Sequence, residues 1–253
     1  MPDVLHANVG PGARGVFTTR VGGTSTGPWG APGGSRGRNL ARHVGDDHAA
    51  VERNRQLTEA ELGRPLIWMD QCHSARVAVL REAPPRANAG EVDAVVLHGG
   101  MSHGAGALVA DCVPLLLAAT HGRTVAAVHV GRAGLVAGIV AAVLAEFSRL
   151  GSPAPTLHAS VGPSICGRCY EVPEALQSEV ASRVAGVRAR TAWGTPSLDI
   201  PAGVIAQLSA AGVSHIEHLA RCTRTDHRFY SYRRDGRTGR FAGIVIPAGD
   251  DTP

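Results

Sequence analysis

The chain has 253 residues, 44% apolar and 18% charged, with a formal net charge of +4. That length can bury a sizeable core, and the composition excludes a disordered chain. Aromatic residues make up only 4% and the basic residues are unclustered, so a nucleic-acid surface with a basic stripe and stacking rings is not expected.

All 25 basic residues are arginine. Schiff-base chemistry, a Walker lysine and a lysine general base are therefore excluded. Any bound anion must be held by Arg, backbone N–H groups or a metal. The N-terminus lacks a charged-then-apolar signal pattern, and no apolar run is long enough to span a membrane. Five cysteines are too few for a disulfide scaffold. These features predict a cytoplasmic protein with reduced thiols.

In chain order, residues 15–20 read as a first short strand. Residues 21–38 are rich in Gly, Ser, Thr and Pro and read as a flexible loop of the kind that serves as a lid or a connector. Asp46 and Asp47 cap a helix closed by Gly63. LIWMD and RVAVL are predicted strands. VDAVVLH begins a strand at Asp93, and GALVADC, PLLLAA and TVAAVHV follow as runs buried on both faces. A helix is predicted from about Ala133 to Leu150, then a strand, TLHASVG. PEALQSEVASRV and IPAGVIAQLSAAG are helices and VSHIEHL a strand. A polar segment turns at Asp235-Gly236, FAGIVI is the last strand, and residues 248–253 form a frayed tail. The alternation predicts an α/β fold with mixed sheets in a single domain, 1–253.

His73, Cys112 and His129 each sit where an apolar run meets a polar or Gly-containing turn. Strand ends are where α/β proteins usually build sites. Two imidazoles and one thiolate match the ligands of a catalytic zinc with an open fourth position. The long separations do not by themselves bring the three together, and scattered His and Cys more often fill a core. Cys166 and Cys169 form a C-x-x-C without the second pair a zinc ribbon needs, and read as structural. Cys222 reads as a buried small residue, and Cys72 as pointing away from His73 along an extended chain. H-E-x-x-H, a deaminase H-x-E with P-C-x-x-C, any H-x-H and a P-loop are all absent.

A series of segments resembles the YfiH-type family, known as multicopper polyphenol oxidase or laccase-domain proteins and regarded as purine nucleoside phosphorylases. It runs through FTTRVGG (17–23), NLARHVGDD (39–47), QCHSARV (71–77), DAVV (93–96) and ADCVPLLLA (110–118). It continues with AVHVGRAGL (127–135), GPSICGRCYEV (162–172), LDI (198–200), CTRTD (222–226) and FYSYRRDGRTGR (229–240). The resemblance covers nearly the whole chain. It implies a layered α-β-β-α fold and a zinc held by His73, Cys112 and His129. It further implies phosphorolysis of adenosine, inosine and S-methyl-5′-thioadenosine, with adenosine deamination as a side activity. One departure stands out. Where the family commonly has H-A-G-W-R-G, this chain has Arg132 at the Trp position and Ala133 at the Arg position.

Phosphorolysis requires an anion under the anomeric carbon, and with no lysine its partners are arginines. Arg20, Arg132 and Arg234 are the phosphate candidates, Asn39 and His43 candidates for sugar or phosphate, and Glu171 the acid/base candidate at the purine. An open zinc site can orient phosphate or activate water for attack at the adenine C6 position. Three other readings remain: a cysteine-type hydrolase with Cys112 as nucleophile and His129 as base, a non-catalytic zinc protein, and copper-dependent polyphenol oxidation. Purine nucleosides and phosphate are the expected partners, with no nucleic acid or membrane, for a monomer or weak homodimer.

Overall fold

The computed structural model describes residues 3–248. Two mixed sheets lie face to face. The first has the order β1 (Val4–Ala7), β2 (Ala13–Thr18), β14 (Phe241–Pro247), β7 (Gly104–Val109), β4 (Leu66–Ile67). The second runs β13 (His215–His218), β10 (Leu157–Val161), β8 (Val113–Ala119), β9 (Thr124–Val130), β6 (Ala94–His98), β5 (Val77–Leu80). Pairing is antiparallel except for β4–β7, β5–β6 and β10–β13, which are parallel.

Strand alternation explains the apolar runs. In β8, Leu116 and Ala118 point between the sheets with Phe17, Val95, Ala107 and Val245. Leu115 and Leu117 point the other way. There they meet α3 (Ile139–Arg149), α4 (Glu174–Arg183) and α5 (Ile200–Ala210) through Val143, Phe147, Val180, Val204 and Leu208. A strand covered on both faces has no polar side to show, so its sequence does not alternate. On the opposite side, Leu62 of α1 (His48–Leu62) packs with Val16, Leu66, Trp68 and Ile244 of the first sheet. The layers are therefore α-β-β-α.

Local signals set the boundaries of α1. Asp47 accepts from Ala50 N–H at 2.8 Å as N-cap, and Gly63 takes the left-handed C-cap. The long helix predicted from Ala133 is two helices, α2 (Arg132–Ala137) and α3, broken at Gly138 with φ +89°. Residues 21–38, expected as a flexible loop, contain β3 (Val21–Ser25) and two 3-10 turns. Asn54 of α1 explains that order: its side chain bonds Thr24 N–H, Ser25 Oγ and Asn39 C=O. β1 and the small ribbon β11 (Arg188–Arg190) with β12 (Pro196–Leu198) have no apolar run to announce them. The polar segment after Phe229 forms α6 (Tyr232–Asp235), ending at Gly236 with φ +65°. Of the expected tail, Ala248 donates to Gly12 C=O, and 249–253 lie outside the described residues. No helix among the described residues is long and apolar enough to cross a membrane.

Gly162, just after β10, lies against the Phe17 ring of β2 in the space between the sheets. A Cβ there would lie 2.2 Å from the Phe17 ring, and neither the ring, buried on all sides, nor the backbone can give way. Gly162→Ala is expected to lower unfolding stability by about 1–3 kcal/mol, the usual cost of overpacking. Urea denaturation checks this, and an unchanged midpoint would contradict the packing account.

Candidate metal centre

The centre begins with the register of β8 and β9. Pro114 faces His129 and Val113 faces Val130, so Cys112, just before β8, lies beside His129 near the end of β9. His73 comes from the turn after β4. Its φ of +59° is left-handed, so the chain there is not extended and the alternation argument for Cys72 fails. The Cys72 sulfur instead lies 3.3 Å from Asp93 Oδ2.

Asp93, fully buried, ties these pieces together. Its carboxylate accepts backbone N–H groups from His73 at 3.0 Å and Ser74 at 2.6 Å, and the Ser74 hydroxyl at 2.8 Å. It also takes His129 Nδ1 at 2.8 Å. With Nδ1 so engaged, Nε2 of His129 is the nitrogen left for a ligand, the carboxylate–histidine arrangement common behind metal sites. Burial alone would raise the Asp93 pKa; the His129 and Ser74 hydrogen bonds outweigh it and hold the carboxyl well below the usual range.

The donor atoms of His73, Cys112 and His129 all lie within 4.8 Å of one another. Cys112 Sγ and His73 Nε2 are 3.8 Å apart. Bonds of about 2.3 Å to sulfur and about 2.0 Å to nitrogen at a tetrahedral angle would place them about 3.5 Å apart. Burial pushes the Cys112 thiol up, but the neighbouring His129 and His73 bring it down to about 6. Burial pushes His129 down, and the Cys112 charge and the Asp93 bond raise it to about 9. A thiolate and two imidazoles, that of His129 with its tautomer fixed by Asp93, fit a borderline-soft divalent ion such as zinc, and copper accepts the same donors. Gly131 keeps room for this: a Cβ on it would lie 2.6 Å from His73 Cδ2 and 3.3 Å from Cys112 Sγ.

The three donors open on a cavity of about 400 Å³, the size range of small-molecule sites. Arg132, Arg233, Arg240, His43, Tyr170 and Tyr232 line it too. Arg132 begins α2, while Ala133 is exposed and outside the lining. Among the described residues, no hydrogen bond or ion pair occupies the Arg132 guanidinium. His43 is kept below its ordinary pKa by burial and by the Arg240 and Arg55 charges.

The other candidates are placed elsewhere. Arg20 bonds Gly30 C=O, pairs with Asp235 at 3.5 Å and stacks on Tyr230. Arg234 is spent on the carbonyls of Thr223 and Phe229 and on Asp235. Asn39, fully buried, bonds Asp46 and the backbones of Ala41 and Arg240. The exposed Glu171 carboxylate accepts from Trp193 Nε1 at 2.9 Å. None of these four lines the cavity.

Three residues outside the sequence-based set matter. Arg233 and Arg240 sit inside FYSYRRDGRTGR beside Arg234, and nothing in the string says which arginine turns inward. Asp111, with φ +100°, holds the turn before Cys112. It accepts Thr223 Oγ1 at 2.6 Å, Ser231 Oγ at 2.7 Å and Arg233 N–H at 2.7 Å. Such backbone strain persists only where surrounding bonds impose it.

Fold and site together define a layered α/β protein with a His-Cys-His centre in an arginine-lined cavity. A family model described as multi-copper polyphenol oxidoreductase laccase matches residues 14–248, and the chain belongs to that family. It is 44% identical to a purine nucleoside phosphorylase of Streptomyces coelicolor, over 92% of this chain and 95% of that one. It is 42% identical to one of Corynebacterium glutamicum, covering 92% and 93%. A solved Neisseria meningitidis protein matches with TM-score 0.84 at 29% identity, over 98% and 100% of the chains. YlmD of Geobacillus stearothermophilus also gives 0.84 at 27% identity, over 94% and 92%.

Removing the carboxylate charge behind the histidines should weaken the centre. Asp93→Asn is expected to lower metal affinity about 10- to 100-fold, measured by competition with a chelator. An unchanged affinity would contradict the role given to Asp93.

Proposed function

We propose that this chain is a zinc-dependent purine nucleoside phosphorylase. It acts on adenosine, inosine and S-methyl-5′-thioadenosine, with adenosine deamination as a side activity. The observation that carries this reading is the convergence of two imidazoles, a thiolate and three arginines on one cavity. The names of the relatives agree with it.

In the reaction a phosphate oxygen bonds the anomeric carbon as the bond to the purine nitrogen breaks. The bonding pair leaves with the base, which takes up the proton that the phosphate gives up, giving free purine and ribose 1-phosphate, or its 5-methylthio analogue from S-methyl-5′-thioadenosine. Charge develops on the sugar and on the departing base, and catalysis is stabilisation of both. Arg132, with no competing partner, and Arg240, whose Nη1 is held by the carbonyls of Thr238 and Gly239 and which lines the cavity, are assigned to phosphate as guanidinium donors. Burial lowers the Arg240 pKa, yet it stays a cation at neutral pH. Tyr232, 60% exposed at the rim, offers an aromatic face to a purine. His43, held neutral, is assigned to the sugar or phosphate. His73, Cys112 and His129 would hold the zinc ion, which would supply Lewis-acid polarisation there. Arg20, Asn39, Arg234 and Glu171 receive no step, because their polar groups are engaged outside the cavity.

The lowered Cys112 thiol beside His129 also resembles a nucleophile–base pair. His73, whose Nε2 lies 3.8 Å from the same sulfur, favours metal ligation over a free nucleophile.

The test is release of hypoxanthine from inosine by metal-replete protein, with and without phosphate. Release should require phosphate, and His73→Ala and Cys112→Ala should each cut it by roughly 100-fold or more. Arg132→Ala should raise KM for phosphate more than it lowers kcat. Phosphate-independent release, or full activity in Cys112→Ala, would refute the reading.

A further inference from the structure

The cysteines outside the cavity are not scattered. Cys166 and Cys169 lie in the turn after β10, where Cys169 N–H donates to Cys166 C=O at 2.9 Å. Cys222 lies in the loop after β13. A parallel bridge between Ser164 and Cys222 joins the two segments. Ser164 N–H donates to Arg221 C=O and Thr223 N–H donates to Ser164 C=O, each at 3.1 Å. The three sulfurs all lie within 4.8 Å of one another.

We propose that Cys166, Cys169 and Cys222 form a second, structural zinc site, separate from the His73–Cys112–His129 centre. Its fourth position is left to solvent, since no other His, Cys, Asp or Glu among the described residues joins the group. Two observations favour a metal over a redox pair. There are three sulfurs, and all five cysteines are free. The separations suit tetrahedral thiolates, whose sulfurs lie about 3.8 Å apart when each bond is about 2.3 Å. A soft all-thiolate set selects zinc over hard ions such as magnesium or calcium.

The site clips together two loops that shape the cavity. One carries Ile165 and Tyr170 of its lining. The other carries Thr223, whose hydroxyl bonds Asp111 next to Cys112. Zinc here therefore steadies the walls of the centre without touching substrate.

The experiment uses the full chain carrying His73→Ala and Cys112→Ala, which empties the first centre and leaves four cysteines. Zinc content, cobalt substitution and alkylation followed by mass spectrometry are read on the folded protein. We expect one zinc per chain, strong thiolate-to-cobalt charge-transfer bands, and three cysteines shielded from alkylation until a chelator is added. Adding Cys222→Ser should abolish the zinc and the bands. Absence of zinc in the double variant overturns the proposal, whether the thiols are then free or a disulfide links Cys166 to Cys169 or Cys222. The double variant alone decides the matter if Cys222→Ser fails to fold. The result does not depend on which reaction the cavity performs.

Discussion

The Asp93 carboxylate is the constraint on which the centre depends. A charge buried without partners would cost several kcal/mol, so its acceptors must be filled, and the partners are the parts of the site. The His73 and Ser74 N–H groups fix the turn that presents one imidazole. His129 Nδ1 fixes the tautomer of the other. The main chain of Asp93 joins in, since its C=O accepts His129 N–H at 2.8 Å. Satisfying one buried acid thus places two donors whose residues are far apart in sequence.

Asp111 does for the cavity wall what Asp93 does for the imidazoles. It adopts a backbone conformation that non-glycine residues avoid, and three short hydrogen bonds compensate. Those bonds carry the turn before Cys112, the start of α6 and the loop of Cys222 into one body. The sulfur and the arginines of α6 thereby share a reference frame, which preorganises the site before any ligand arrives.

Legibility in the sequence followed the range of the interactions. The α1 boundaries were legible because Asp47 and Gly63 act on their own helix. The doubly buried strands were legible as apolar runs, though nothing in the runs said which face met which layer. β1, β11 and β12 were not, since short edge strands owe their existence to partners distant in the chain. Within the site, His73, Cys112 and His129 stood out as types at strand ends, but spacing alone left core filling open until the wider resemblance was weighed. Asp93 was visible only as the first residue of a strand, because its role lies in contacts 19 to 36 residues away. Arg20, Arg234 and Asn39 show the reverse limit. A motif marks a residue without saying whether its polar atoms face a ligand or the chain's own carbonyls. Cys222 reads as a lone thiol until β10 and β13 pair and bring it to Cys166.

The central claim is that the metal donors and arginines act together on a nucleoside and phosphate. Phosphorus NMR of metal-replete protein with inosine and inorganic phosphate tests it most directly. The account predicts ribose 1-phosphate appearing one-for-one with hypoxanthine as phosphate is consumed. Free ribose in place of the phosphate ester, or no conversion at all, would contradict it.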